Sequence, residues 1–358
     1  MLNFSKISKN DKNLFILFIV LRLLISIFSV FILSNYIQIG DLGRYINYST
    51  FKPELNSTQI TTLIFGLPSK LFSVFLVVVL TSLVTSILMV KILFLLVQDS
   101  KRLPVFLFVL LLPSISIWTS IPGKEALLCF VLLLIFKIWN FSEKLSWMKK
   151  LKLVILSLFI LFFKPHYILG FIGFIAFQIK KLKFYPRQLI YFLIIILIWH
   201  NYDWILSLIE TLNALSIELP RHFNVINSDT RTHLYFQADT DWIFSIPFGT
   251  LIAFWGPTFP EAIHSLKYSI TFFESLIIFF FILGQFYRFV SVQGFVVRHK
   301  LLLKVLTVII LFLIANYPFG YFNPGSALRY RAAYLPFMFF FLELIFIRVQ
   351  LKKIKPNL

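Results

Sequence analysis

The chain has 358 residues, 59% of them hydrophobic, 18% aromatic and only 14% charged. No soluble domain keeps that much apolar surface from water, so the composition excludes a soluble globular fold and predicts an all-α polytopic membrane protein. The formal net charge of +19 falls in short basic runs between apolar spans, the positive-inside pattern, which excludes nucleic acid as the partner. Cys129 is the single cysteine, so an internal disulfide and a cysteine metal cluster are excluded as well.

In chain order, Lys6, Lys9 and Lys12 keep the N-terminus in the cytoplasm, and a first span over 13–34 crosses outward. That span is long and lacks a small-residue cleavage site, so it is expected to stay as an anchor and not to be a removed signal peptide. Arg22 lies inside it, which is costly in lipid unless the guanidinium faces protein, water or a lipid phosphate. Residues 35–70 form an outer loop with the stretch Gly40-Asp41-Leu42-Gly43-Arg44-Tyr45. A span over 71–98 returns to Asp99-Ser100-Lys101-Arg102. Two shorter spans, 103–118 and 125–140, make a hairpin whose outer tip runs from Trp118 to Glu125.

The apolar stretch 153–179 reads in two ways. As one helix it puts Lys180-Lys181-Leu182-Lys183 and two later basic clusters outside, against the positive-inside rule. Split at Lys164-Pro165-His166-Tyr167, it becomes two half-helices, each far below the roughly 20 residues that cross a bilayer, and every later loop falls on the expected side. The split places Lys164 and His166 at a buried, outward-facing depth. A span over 188–200 then leads to a large outer segment, 201–268, with Arg221, His222, Asp229, Arg231, His233, Asp239 and Asp241 in its polar half. Its apolar half, 242–259, is broken by Pro247, Gly249, Gly256 and Pro257 and reads as a re-entrant or interfacial segment, not a full crossing. Spans over 269–287, 301–318 and 332–348 complete about ten crossings. Both termini are expected in the cytoplasm, and 1–358 is expected to form a single transmembrane domain.

The chemistry gathers on the outer face: Asp41, Arg44, Lys124, Glu125, Lys164, His166, Arg231, His233, Arg329 and Arg331. Forked guanidinium groups suit phosphate oxygens, a carboxylate or imidazole can take a hydroxyl proton, and aromatic rings stack on sugar faces. Asn323-Pro324-Gly325 is expected to turn irregularly before a helix starting at Ala332. On a regular helix, residues two apart point about 200° from each other, so Arg329 and Arg331 share a ligand only if that turn is not helical. Otherwise Arg329 acts alone, and Arg331 pairs with an acid such as Asp41 or supports the helix end. Asp239-Thr240-Asp241 has the form of a metal-binding DxD, but no metal or cofactor is expected. Glu274 and Glu343, within apolar spans, would instead suit an ion path.

This layout resembles the Wzy-type polysaccharide polymerases and related GT-C-class glycosyltransferases of bacterial O-antigen and capsule assembly. The resemblance rests on hydropathy, on the phenylalanine- and isoleucine-rich composition, and on four patterns: Asp41–Tyr45, Trp118–Glu125, Lys164-Pro165-His166 and Asn323–Arg331. It implies a GT-C-like enzyme of the bacterial inner membrane acting on a polyprenyl-diphosphate-linked glycan, with a flippase and a chain-length regulator as partners. In that reading Asp41, Glu125 or His166 serves the acceptor hydroxyl. Arg329, Arg331 and Lys164 hold the diphosphate, Arg231 and His233 position sugar, and Arg44 and Lys124 are further substrate-binding residues. The alternatives are a transferase adding one sugar from a polyprenyl phosphate, and a flippase of the lipid-linked glycan.

Overall fold

A computed structural model describes residues 9–37, 39–97, 100–141, 146–167, 170, 231, 241–293, 299–317 and 319–354. Helices and short turns carry these residues, with no strand among them. Four helices are long and apolar enough to cross a membrane: Lys9–Asn35, Val74–Leu96, Leu266–Ser291 and Pro324–Arg348. The bent pair Leu103–Leu110 and Pro113–Ser120, with 67° between its halves, makes a fifth if taken as one span. The chain is a helical, membrane-embedded protein. The second half-helix of 153–179 and the span over 188–200 lie outside the described residues.

The chain divides into two compact units. The first comprises Met1–Pro165, Phe273–Phe295 and Arg329–Leu358. Its helices are α1 (Lys9–Phe31), α2 (Leu42–Ile46), α3 (Ser57–Leu71), α4 (Val74–Leu96), α5 (Leu103–Leu110), α6 (Pro113–Ser120), α7 (Lys124–Asn140) and α8 (Trp147–Phe163). The second comprises His166–Phe272 and Val296–Leu328. It holds α9 (Asp241–Trp255), α10 (Phe259–His264), α12 (His299–Asn316) and α13 (Phe319–Phe322). Two helices run from the second unit into the first: α11 (Leu266–Gln293) and α14 (Pro324–Ile354).

Local chemistry sets the boundaries. Ser73 and Asn56 cap α4 and α3, their side chains accepting from the backbone N–H groups of Leu76 and Gln59. Proline 113 forces Leu112 into an extended conformation (ψ 141°), which breaks α5 from α6 and produces the bend. Pro165 does the same at Lys164 (ψ 79°), so α8 stops where the split of 153–179 was expected. Thr258 and Glu261 form a capping box that starts α10.

One sequence expectation changes. The helix expected from Ala332 starts at Pro324. Proline is well suited to a first helical position, and Asn323 caps the turn by accepting from Ser326 N–H at 2.9 Å. The segment 35–70 contains α2 and the fifteen-residue α3. The apolar half of the outer segment forms α9, a helix through Pro247 that ends before Gly256.

In the first unit α14 is buried on every side from Arg331 to Phe346, as an all-round apolar helix should be. Helix α1 instead exposes Ile16, Leu17, Val20, Leu24 and Phe28, a face suited to lipid. The segment after α1 docks through Ile39 and Leu42, which join Val30, Val78 and Ile121 in one apolar cluster with Trp118 against it. Burying such side chains contributes about 1.5–3 kcal/mol each, and this anchorage holds the polar residues between and beside them in place.

Candidate functional site

Asp41 stands between those two apolar anchors, and the polar cluster grows from it entirely within the first unit. Arg329, in the second turn of α14, donates from Nε to Glu125 Oε1 at 2.7 Å and from Nη2 to Asp41 Oδ2 at 3.2 Å. Glu125 opens α7, where the helix N-terminus favours a negative charge. Lys164, at the end of α8, lies 3.6 Å from the same Glu125 oxygen and 3.3 Å from the centre of the Tyr330 ring. Tyr45, one helical turn after Asp41, donates its hydroxyl to Asp41 Oδ2 at 3.2 Å. The Trp118 ring lies 5.6 Å from the Arg329 guanidinium carbon. Lys124 donates to Ser57 Oγ at 2.9 Å and Thr58 Oγ1 at 2.8 Å, beside the cluster.

Two openings meet at Asp41. A cleft of about 560 Å³ is lined by residues 34–37, 39–44 and 46, including Gly40, Asp41 and Arg44. A narrower crevice runs inward between Asp41, Tyr45, Trp118, Glu125 and Arg329. The side chain of Asp41 is 40% exposed and that of Glu125 only 2%, so Asp41 faces the cleft and Glu125 is the inner anchor. Of the five N–H groups on Arg329, two bind these acids; the Nη1 edge lies against Gly40. Gly40 has φ +49°, and a Cβ there would meet Arg329 Nη1 at 2.9 Å, so position 40 accepts little but glycine.

Arg44, Lys124, Lys164 and Arg329 outnumber Asp41 and Glu125 by two charges when all are ionised, which favours an anionic ligand. Burial pushes the Asp41 carboxyl up, but Arg329, Tyr45 and Arg44 together outweigh it and hold the group below the usual carboxylate range. Burial pushes Lys164 down to about 7, more than Glu125 restores. Burial also lowers Lys124 and raises the Tyr45 hydroxyl.

The remaining sequence candidates stand elsewhere. Arg331 is fully buried, two residues along the regular helix from Arg329, and its charge faces Glu274 and Tyr334. The irregular turn that would let both arginines share a ligand is replaced by helix, and the acid at Asp41 goes to Arg329. In the second unit, Arg231 donates to Glu261 Oε2 at 2.9 Å and to the carbonyls of Gly320 and Tyr321 at 2.7 Å each. These bonds commit each of its guanidinium nitrogens to the protein. His166, in the turn Pro165–Tyr167, packs edge-on against Tyr167 at 4.8 Å. His233 and the first two residues of Asp239-Thr240-Asp241 lie outside the described residues.

Sequence reasoning assigned no role to Gly40, Tyr45, Trp118 or Tyr330. The four-residue spacing of Asp41 and Tyr45 on a short helix was the available signal. Glu343 also has partners that were not foreseen. It pairs with Arg102, and Arg288 lies 3.6 Å away. Glu274 accepts from the backbone N–H of Ser114 at 3.0 Å and from its hydroxyl.

Fold and site define a helical membrane protein whose first unit gathers a cation-rich, carboxylate-centred cluster at the edge of a cleft. No family model, no curated protein and no solved structure matches the chain.

Proposed function

We propose that this chain is a glycosyltransferase of the bacterial inner membrane that acts on a polyprenyl-diphosphate-linked glycan at the outer face, as a repeat-unit polymerase. The observation that carries the reading is the bridge made by Arg329 between Asp41 and Glu125, with Lys164 behind it and a cleft in front. Four distant stretches of chain meet there, all named by the sequence pattern. The net positive balance suits a diphosphate, and the N–H groups of Arg329 not spent on carboxylates can reach its oxygens. Trp118 and Tyr45 supply aromatic surface for a sugar ring beside the exposed carboxylate.

In the proposed transfer the acceptor hydroxyl oxygen attacks the anomeric carbon and gives its proton to Asp41. The bond from that carbon to the diphosphate oxygen breaks, and its electron pair leaves with the diphosphate, whose growing charge Arg329 and Lys164 stabilise. About ten spans with both termini in the cytoplasm is the topology this reading uses, supported by basic runs on one side only.

Lipid-linked product sizes in a strain lacking the protein test the reading. Accumulation of single repeats is expected, whereas truncated repeats would assign the chain to single-sugar transfer. A lipid flippase is the second reading, favoured by the Glu343–Arg102–Arg288 group within the helical bundle. Intermediates trapped on the cytoplasmic side would decide for it.

A further inference from the structure

Arg22 is fully buried midway along α1, and the proposed transfer makes no use of it. Its Nε donates to Ser86 Oγ at 2.8 Å, and Nη2 donates to Thr119 Oγ1 at 2.9 Å and Thr85 Oγ1 at 3.4 Å. Its Nη1 meets no acceptor among the described residues. Among the described residues the groups it contacts are neutral: these three hydroxyls and the Phe18 ring, 5.6 Å away. The titratable group that acts on it is the buried Cys129 thiol of α7, which is uncharged when protonated. A guanidinium keeps its proton in proteins, and a buried charge is ordinarily paired.

The surroundings are polar in a particular way. Ser26 and Ser29 on α1, Ser82, Thr85 and Ser86 on α4, and Ser116, Thr119 and Ser120 on α6 are all buried, a seam of hydroxyls. Thr85 and Thr119 give their own protons to carbonyls one turn back, at Thr81 and Ile115, so they accept from Arg22 and have no donor left. The hydroxyls of Ser29 and Ser82 have no partner among the described residues, and Ser82 lies one helical turn from Thr85 and Ser86. One fixed positive charge with an unspent N–H, and an unspent hydroxyl at Ser82 one turn along α4 from the residues that Arg22 binds, make a donor set for an anion.

We propose that the first unit binds a small monovalent anion of the chloride type between α1, α4 and α6, held by Arg22 and the hydroxyl seam. A single cation matches a single negative charge, and a phosphate dianion would remain half-compensated. The bound ion neutralises Arg22 and ties the bend at Pro113 to the two antiparallel helices α1 and α4. The inference is independent of the transferase reading.

The test uses the full chain purified in detergent. Equilibrium dialysis against radiolabelled chloride should find a single site per chain, displaced by bromide. The melting temperature should rise with chloride, gluconate replacing it at constant ionic strength. Arg22→Met should lose both effects, and Ser82→Ala should weaken binding about tenfold while leaving the fold in place, since that hydroxyl has no partner to lose. If Arg22→Met does not fold, the wild-type dialysis and Ser82→Ala decide. No retained chloride and equal melting in both salts would overturn the proposal and leave Arg22 as a hydrogen-bonded strut between helices. Chloride bound by Cys129→Ala but not by the wild type would also overturn it, assigning the counter-charge to the thiolate.

Discussion

Arg329 shows how one residue carries the candidate site. Lysine keeps its charge but cannot reach two acids and a ligand with a planar fork, so Arg329→Lys is not conservative. A charge-assisted, partly desolvated contact is worth roughly 1.5–3 kcal/mol, so long-chain polymer should fall at least about tenfold while the protein stays abundant. Wild-type chain length in an Arg329→Ala protein at normal abundance would remove Arg329 from the site. Gly40 tests the same contact from the other side. Gly40→Ala places a Cβ against Arg329 and holds alanine at a positive φ, which costs about 1–2 kcal/mol before any clash. Activity should drop with Arg329 intact, and an unchanged variant would show that the approach is not needed. Lys164 gives a pH signature. It is drawn toward 7 by burial among Glu125, Arg329, Lys124 and Tyr330, against an ordinary 10.5. Between those values the unfolded chain holds a proton that the folded chain releases, so stability should rise with pH across that window. Lys164→Met should flatten the rise in detergent denaturation, and an identical slope in both proteins would detach it from this residue.

At the scale of elements, the breaks were legible and the pairings were not. The stop at Lys164-Pro165 and the hairpin tip before Glu125 follow from proline and glycine, whose effects act on their immediate neighbours. Pro324 misled because proline both ends helices and begins them, and only the Asn323 cap separates the two cases. The partner of Arg329 lies 288 residues away and that of Glu343 lies 241 away, separations over which no periodicity carries information. Glu343 therefore read as an isolated carboxylate, although it clamps α14 to the N-terminal end of α5 through Arg102. Removing one partner of a buried pair strands the other, whereas replacing both by apolar groups of similar size is often neutral. Arg102→Ala should cost about 3 kcal/mol, reduced by whatever Arg288 supplies, and Arg102→Met with Glu343→Met should recover most of it. Equal losses in single and double variants would show that the pair is not what joins these helices.

For the whole molecule, side preference follows from charge. The basic runs predict that the lysine-rich face lies in the cytoplasm and that the loops with mixed acids and bases lie outside. Residues that report this must be exposed, which excludes Ala327, fully buried in the first turn of α14. Glu54, before α3, and Lys267, at the start of α11, are exposed on segments expected outside. Lys150, in the first turn of α8, is exposed on a segment expected inside. The only native cysteine, Cys129, is buried and can be replaced by alanine to clear the background. In that background Glu54→Cys and Lys267→Cys should react with a membrane-impermeant maleimide in intact cells, and Lys150→Cys only after lysis. Position 182, outside the described residues, is expected to behave like Lys150. It decides how the chain continues past Lys164: external labelling there would make 153–179 one crossing, place the later basic clusters outside, and invert Lys267. Internal labelling at 182 together with external labelling at 267 requires the break at Pro165 to return the chain to the side it came from. Lys164 would then stand at the turn of a re-entrant pair, a position where a lysine is retained for what it binds.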